Sequence, residues 1–210
     1  MPTFEDRKDA ALKLCERLKE EGISGDLIVG ILRGGGYMAK ILGECLGMAW
    51  GVLPVKKISP PESPESGFGA VVYDGTNVYD EEYARLLGID EEEIKEILKV
   101  KVSEAKVLYE KYKNFIPEDF EGKKVILIDD GMATGYTVIA GAKFIRERKP
   151  KGLILAIPVC SEFAYNLVKE FFDKIICLEV VRSIFFAVGM FYEDFRQISD
   201  EELIEFLTNH

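Results

Sequence analysis

The chain has 210 residues, 48% of them apolar, with a formal net charge of −10 and a pI near 4.8. That length and apolar content suffice for one large domain with a sizeable core. The acidic balance argues against a nucleic-acid surface, which needs clustered Lys and Arg, and the lack of any run of transmembrane length leads us to expect no membrane association and a cytoplasmic location.

Cys15, Cys45, Cys160 and Cys177 are far apart and show no CxxC spacing. They read as four small core residues in a reducing compartment, not as a zinc site or a disulfide framework. The one histidine, His210, is the last residue, which leaves imidazole out of the chemistry.

In chain order, residues 6–21 have the spacing of an amphipathic helix, with Ala10, Leu14 and Leu18 on one face and Gly22 as its stop. Residues 26–32, DLIVGIL, read as a strand, followed by Arg33-Gly34-Gly35-Gly36 and a helix over 37–46. Three consecutive glycines are costly in a merely structural turn. With Arg33 and exposed N–H groups they would make an anion cradle, although an ordinary glycine-rich turn has the same composition.

Residues 51–58, GVLPVKKI, read as a third strand ending in Lys56-Lys57. Residues 59–67, rich in Ser and Pro, cannot hold regular structure, and residues 69–73 can be a strand again. Residues 90–112 form a long helix with acids in its first turn, lysines near its end and an apolar stripe of Ile94, Leu98, Ala105, Leu108 and Tyr112. We read the 89–116 segment as a structural insertion without chemistry of its own.

The stretch that organises the chain is residues 125–137, VILIDDGMATGYT. Four apolar residues suit a strand buried on both faces, and Asp129 and Asp130 fall where it emerges. A loop of small and hydroxylic residues leads into a helix carrying Val138, Ala142 and Ile145 on one face. Strand, small loop and helix hold a phosphate on free backbone N–H groups and the positive end of the helix dipole. Two carboxylates would repel such a ligand unless they face another part of it, and the vicinal hydroxyls of a ribose are their natural partners. Strands over 153–159 and 174–181, with a helix over 162–172, continue the alternation and imply a parallel sheet. The aromatic stretch 185–202 is too irregular for a helix.

Four apolar residues, two acids and a loop ending in T-G-x-T resemble the signature of the type I phosphoribosyltransferases, and neither usual phosphate-loop pattern fits. The resemblance implies an α/β fold with a central, mostly parallel sheet flanked by helices, a C-terminal hood and, here, a helical insertion. It also implies that Asp129 and Asp130 hold the ribose hydroxyls of phosphoribosyl pyrophosphate. Gly131, Met132, Ala133, Thr134, Gly135, Tyr136 and Thr137 would surround its 5-phosphate.

The pyrophosphate would then meet Leu32, Arg33, Gly34 and Gly35, where the family often has a cis peptide at the pair matching Leu32-Arg33. Lys56 and Lys57 would reach it from the hinge of a flexible lid, residues 58–88, and Asp129, Asp130, Arg33 and Lys57 would carry the catalysis. In the hood, residues 182–210, Phe185 or Phe186 would stack on a base, Glu193 or Asp194 would lie near magnesium pyrophosphate, and Arg196 would face phosphate. Magnesium would be held mainly by the substrate, with Asp129 and Asp130 touching it through water. A homodimer is expected on the same ground.

Nearly the whole chain, from FEDRKDAALKL through LRGGG, VKKI, PESGFGAV and DDGMATG to FYEDF, is similar to a subgroup of this family whose acceptor is unassigned. The implied reaction moves the phosphoribosyl group to a nitrogen acceptor, with a nucleobase as the expected class, and releases pyrophosphate. Ala133 stands where the hypoxanthine and guanine enzymes carry an aspartate, which disfavours those two bases. The alternatives are a regulator that binds phosphoribosyl pyrophosphate or a nucleotide without turnover, and a hydrolase of the same ligand.

Overall fold

The computed structural model describes residues 3–60, 62–63 and 67–209. The chain runs α1 (Arg7–Glu20), β1 (Leu27–Ile31), α2 (Gly34–Leu46), β2 (Ala49–Leu53), β3 (Val55–Ile58), β4 (Gly69–Val72), β5 (Asn77–Tyr79), α3 (Glu81–Leu86), α4 (Glu91–Tyr112), β6 (Lys124–Ile128), α5 (Tyr136–Arg146), β7 (Gly152–Ser161), α6 (Glu162–Val168), β8 (Lys174–Val181) and α7 (Asp200–Thr208). Single 3-10 turns follow α4 and α6, and another covers Val188–Phe191.

Five strands form one sheet in the order β2-β1-β6-β7-β8, and each pairing in it is parallel. Both faces are covered. Val29, Ile31, Val125, Leu127, Leu153 and Leu155 pack with α5 on one side, and Ile28, Ile126, Ile128 and Ile154 pack with α1 and α2 on the other. This is why the strands read as continuous apolar runs. β2 lies on one side of β1 and β6 on the other, so the winding direction reverses between β1 and β6. Loops at such a switch point diverge and leave a crevice at the strand ends.

The stretch expected as one strand over 51–58 is two. Pro54 has no N–H for a ladder; the chain leaves the parallel sheet there, and β3 joins an antiparallel sheet of order β3-β4-β5. The segment 58–88, expected as a flexible lid, holds β4, β5 and α3, with Phe68, Val71 and Ala84 buried against Ile58 and Ile94. Its Pro61, Pro64, Glu65 and Ser66 lie outside the described residues. The long helix stands as expected, opened at Asp90 by a reciprocal capping box with Glu93. The aromatic tail is irregular as far as Ser199, whose hydroxyl then caps α7.

One expectation fails outright. Cys15 and Cys45 form a disulfide, 30 residues apart in sequence, with Cα atoms 6.4 Å apart. Their spacing gave no sign of it, because α1 and α2 meet only through packing on the same sheet face. Cys160 and Cys177 are free, the first buried.

Candidate active site at the switch point of the parallel sheet

The loop after β1 and the loop after β6 lie side by side. The peptide Leu32-Arg33 is cis, and Gly34 and Gly35 open α2 directly against the two acids. A Cβ at Gly34 would collide with the Asp130 carboxylate and the Arg7 guanidinium, and one at Gly35 with the carbonyl of Ile128 and the backbone of Asp129. These glycines let two strand ends and an acid pair occupy one small volume.

Asp129 and Asp130 are partly buried. The Asp130 amide donates to Asp129 Oδ1 at 2.8 Å. Burial, and then the neighbouring Asp130 charge, push the Asp129 carboxyl well above the usual aspartate range. Burial raises Asp130 as well, opposed by Arg7, whose Nε donates to Asp130 Oδ2 at 2.9 Å. Asp130 is therefore the acid with a cation of its own, and Asp129 the one without a salt bridge among the described residues.

Beyond the acids, Met132 is buried; its amide donates to the Val159 carbonyl (3.1 Å), its carbonyl accepts from the Ser161 amide (3.2 Å), and the Ser161 hydroxyl donates to the Ala133 carbonyl at 2.8 Å. The loop is thereby pinned to the end of β7, and Met132 serves packing with its side chain. Gly131 is covered by Val188 of the tail. Gly135 starts α5 with a φ of 89°, open to glycine at little cost. The hydroxyls of Thr134 and Thr137 have no partner among the described residues, whereas Tyr136 donates to Asp80 Oδ2 at 3.4 Å, across to the segment before α3.

Helix starts divide into two kinds. Side chains of Asp6, Asp80, Asp90, Ser161 and Ser199 cap α1, α3, α4, α6 and α7. α2 and α5 start at Arg33 and Gly135 with no side-chain cap. Both uncapped starts belong to the loops at the switch point, where free first-turn N–H groups and the helix dipole favour an anion.

Not every expected residue joins this group. The Arg33 side chain turns to Asp200, with Nε donating to Oδ1 at 2.9 Å, so the cation beside the acids is Arg7. Lys56 and Lys57 lie within β3, not beyond a parallel strand end, paired in register with Val71 and Ala70. The Lys57 stem lies against Gly67. In the tail, Phe186 stacks on Phe191 at 5.4 Å, whereas Phe185 is 78% exposed. The amides of Glu193 and Asp194 donate to the carbonyls of Phe4 and Glu5, each at 2.8 Å, leaving the side chains of Glu193, Asp194 and Arg196 exposed.

Arg7 and Tyr192 are the residues that sequence reasoning missed. The Tyr192 hydroxyl donates to the Asp130 carbonyl at 2.6 Å. Arg7 stands in a charged N-terminal run that looks like the solvated face of a helix, and only its position relative to β6 distinguishes it.

No group of three or more His, Cys, Asp or Glu side chains suited to a metal occurs among the described residues. The Asp129 carboxylate, without a salt bridge, fits a water of a hydrated hard cation held mainly by ligand oxygens, the habit of magnesium.

A paired-acid loop and a glycine loop thus meet at the switch point of this sheet. The family model "Phosphoribosyl transferase domain" matches residues 4–194, and the chain belongs to that family of pentosyltransferases. A Mycobacterium tuberculosis protein named a putative phosphoribosyl transferase is 30% identical over 210 residues, covering 99% of this chain and 47% of the relative. The chain thus spans about half the length of the curated relatives it matches there. A uracil phosphoribosyltransferase of Bifidobacterium longum is 33% identical over 70 residues, 33% of each chain. The crystal structure of TT1426 from Thermus thermophilus superposes with a TM-score of 0.74 at 28% identity, covering 99% of this chain and 98% of that one. Among the described residues no helix is long and apolar enough to cross a membrane.

Proposed function

We propose that this chain transfers the phosphoribosyl group of phosphoribosyl pyrophosphate to a nitrogen acceptor, with release of pyrophosphate and with magnesium bound to the substrate. The observation that carries the reading is the pair of uncapped helix starts flanking the two acids. The α5 start, with Thr134 and Thr137, suits the 5-phosphate. The α2 start suits the pyrophosphate through backbone amides of Arg33, Gly34 and Gly35. The acids between them suit the ribose hydroxyls.

As the bond at the anomeric carbon breaks, positive charge develops on the ribose, as in glycoside hydrolysis. The chain would contribute by holding the ring between two fixed anion sites, keeping Asp129 and Asp130 on the hydroxyl edge and excluding water. Bound magnesium would neutralise the leaving pyrophosphate. Ala133, having no acid, supports an acceptor other than hypoxanthine or guanine. We propose a homodimer as well, which light scattering would test.

The test is calorimetric titration of phosphoribosyl pyrophosphate with magnesium into wild type and an Asp129→Asn, Asp130→Asn double variant, followed by an acceptor screen for pyrophosphate release. Binding that the variant loses supports the site. Pyrophosphate released only with an acceptor supports transfer over sensing or hydrolysis, and folded wild type without affinity for the ligand refutes the reading.

A further inference from the structure

Arg7 opens α1 and is 11% exposed, and its side chain meets three partners. Nε donates to Asp130 Oδ2 at 2.9 Å, Nη1 donates to the Arg196 carbonyl at 2.8 Å, and the guanidinium lies 4.2 Å from the centre of the Phe195 ring. Tyr192, from the same tail segment, holds the Asp130 main chain through its hydroxyl. Phe4, just ahead of α1, bridges to Tyr192, and the two ring centres lie 5.3 Å apart. One acid of the pair is thus tied to the tail twice, by its carbonyl through Tyr192 and by its carboxylate through Arg7.

A planar guanidinium holds its donors at fixed angles in one plane whose face can stack on a ring, whereas an ammonium on a flexible stem has neither fixed donor angles nor a face. The arrangement therefore needs arginine for its geometry as well as its charge. Gly34 completes it, since any side chain there would displace both Arg7 and the carboxylate.

We infer that Arg7 is a positioning residue that couples the tail segment 191–196 to the acid pair, so that a ligand engaging Asp130 also orders that segment over the site. The inference rests on the phosphoribosyl pyrophosphate reading for the identity of the ligand. Charge balance and coupling are separate tasks of the one side chain. Lysine can perform the first, and a neutral residue can perform neither.

The experiment is hydrogen exchange of peptides covering 191–196, with and without phosphoribosyl pyrophosphate and magnesium, on wild type, Arg7→Lys and Arg7→Met, alongside calorimetry and melting curves. In wild type the ligand should slow exchange of 191–196 about tenfold. Arg7→Lys should bind within about fivefold of wild type yet lose that slowing, and Arg7→Met should lose about tenfold or more in affinity. Full ligand-linked slowing in Arg7→Lys would overturn the coupling. So would loss of protection throughout the chain in Arg7→Lys, with or without ligand, because Arg7 would then serve only the fold. Wild type that binds no phosphoribosyl pyrophosphate would remove the proposed function, and the ligand-linked role with it.

Discussion

Arg33 reaches Asp200 across 167 residues of sequence, Nε to Oδ1 at 2.9 Å, and the same carboxylate accepts from Tyr112 at 2.6 Å and Lys111 at 3.3 Å. The loop after β1, the end of the inserted helix α4 and the start of α7 therefore meet on one aspartate.

Burial works to raise the Asp200 carboxyl, but the hydrogen bonds from Tyr112 and Arg33 outweigh it and hold it below the ordinary aspartate value. A lowered folded value contributes stability above the unfolded pKa of about 3.9 and loses it as pH falls through the folded value. Asp200→Asn should cost about 1–2 kcal/mol at pH 7, with part of the surface share discounted for screening. The gap in melting temperature between variant and wild type should shrink below about pH 4. A gap independent of pH would refute the ionic account.

The acid pair should behave in the opposite sense. Burial and mutual repulsion raise Asp129 above its unfolded value, so its contribution is fully present at low pH and is lost as pH rises through the raised folded value. Asp129→Asn should therefore stabilise the ligand-free protein by about 1 kcal/mol at neutral pH, fading in acid, while weakening ligand binding. Thermal melts across pH check this; a variant less stable than wild type at pH 7 would contradict it.

The Cys15–Cys45 bond closes a loop of 30 residues between α1 and α2. Chain entropy alone makes such a closure worth about 3–4 kcal/mol. Reduction, maintained with excess reductant and without capping so that the buried Cys160 is not alkylated, should lower the urea midpoint and raise the m value, because the unlinked unfolded chain exposes more surface. An unchanged midpoint after complete reduction would show that the unfolded chain is not constrained by this link.

Lys40 is 6% exposed, and its ammonium donates to the carbonyls of Phe206 and Asn209 while lying 4.7 Å from the centre of the Phe206 ring. It caps α7 on its carbonyl end, where a cation also meets the negative pole of the helix dipole. Lys40→Met should cost about 1–2 kcal/mol and loosen α7 first, read as faster hydrogen exchange at Leu203–Leu207 than in the central sheet. Uniform loosening would argue against a local cap.

By itself the sequence determined the parallel sheet, the acid pair and the small loop. The reason is local: buried strands must be apolar throughout, a phosphate loop needs small residues before a helix, and both signals fit within about ten residues. Lys56 and Lys57 looked equivalent to the other loop cations because nothing in VKKI reports which sheet a strand joins. Only tertiary structure decided that Pro54 sends them into a second sheet, that Cys15 meets Cys45, that Arg33 turns to Asp200, and that Arg7 becomes the cation beside Asp130. Each of these pairings spans many residues of chain and is fixed by where whole elements pack, so no window of sequence short enough to read contains both partners.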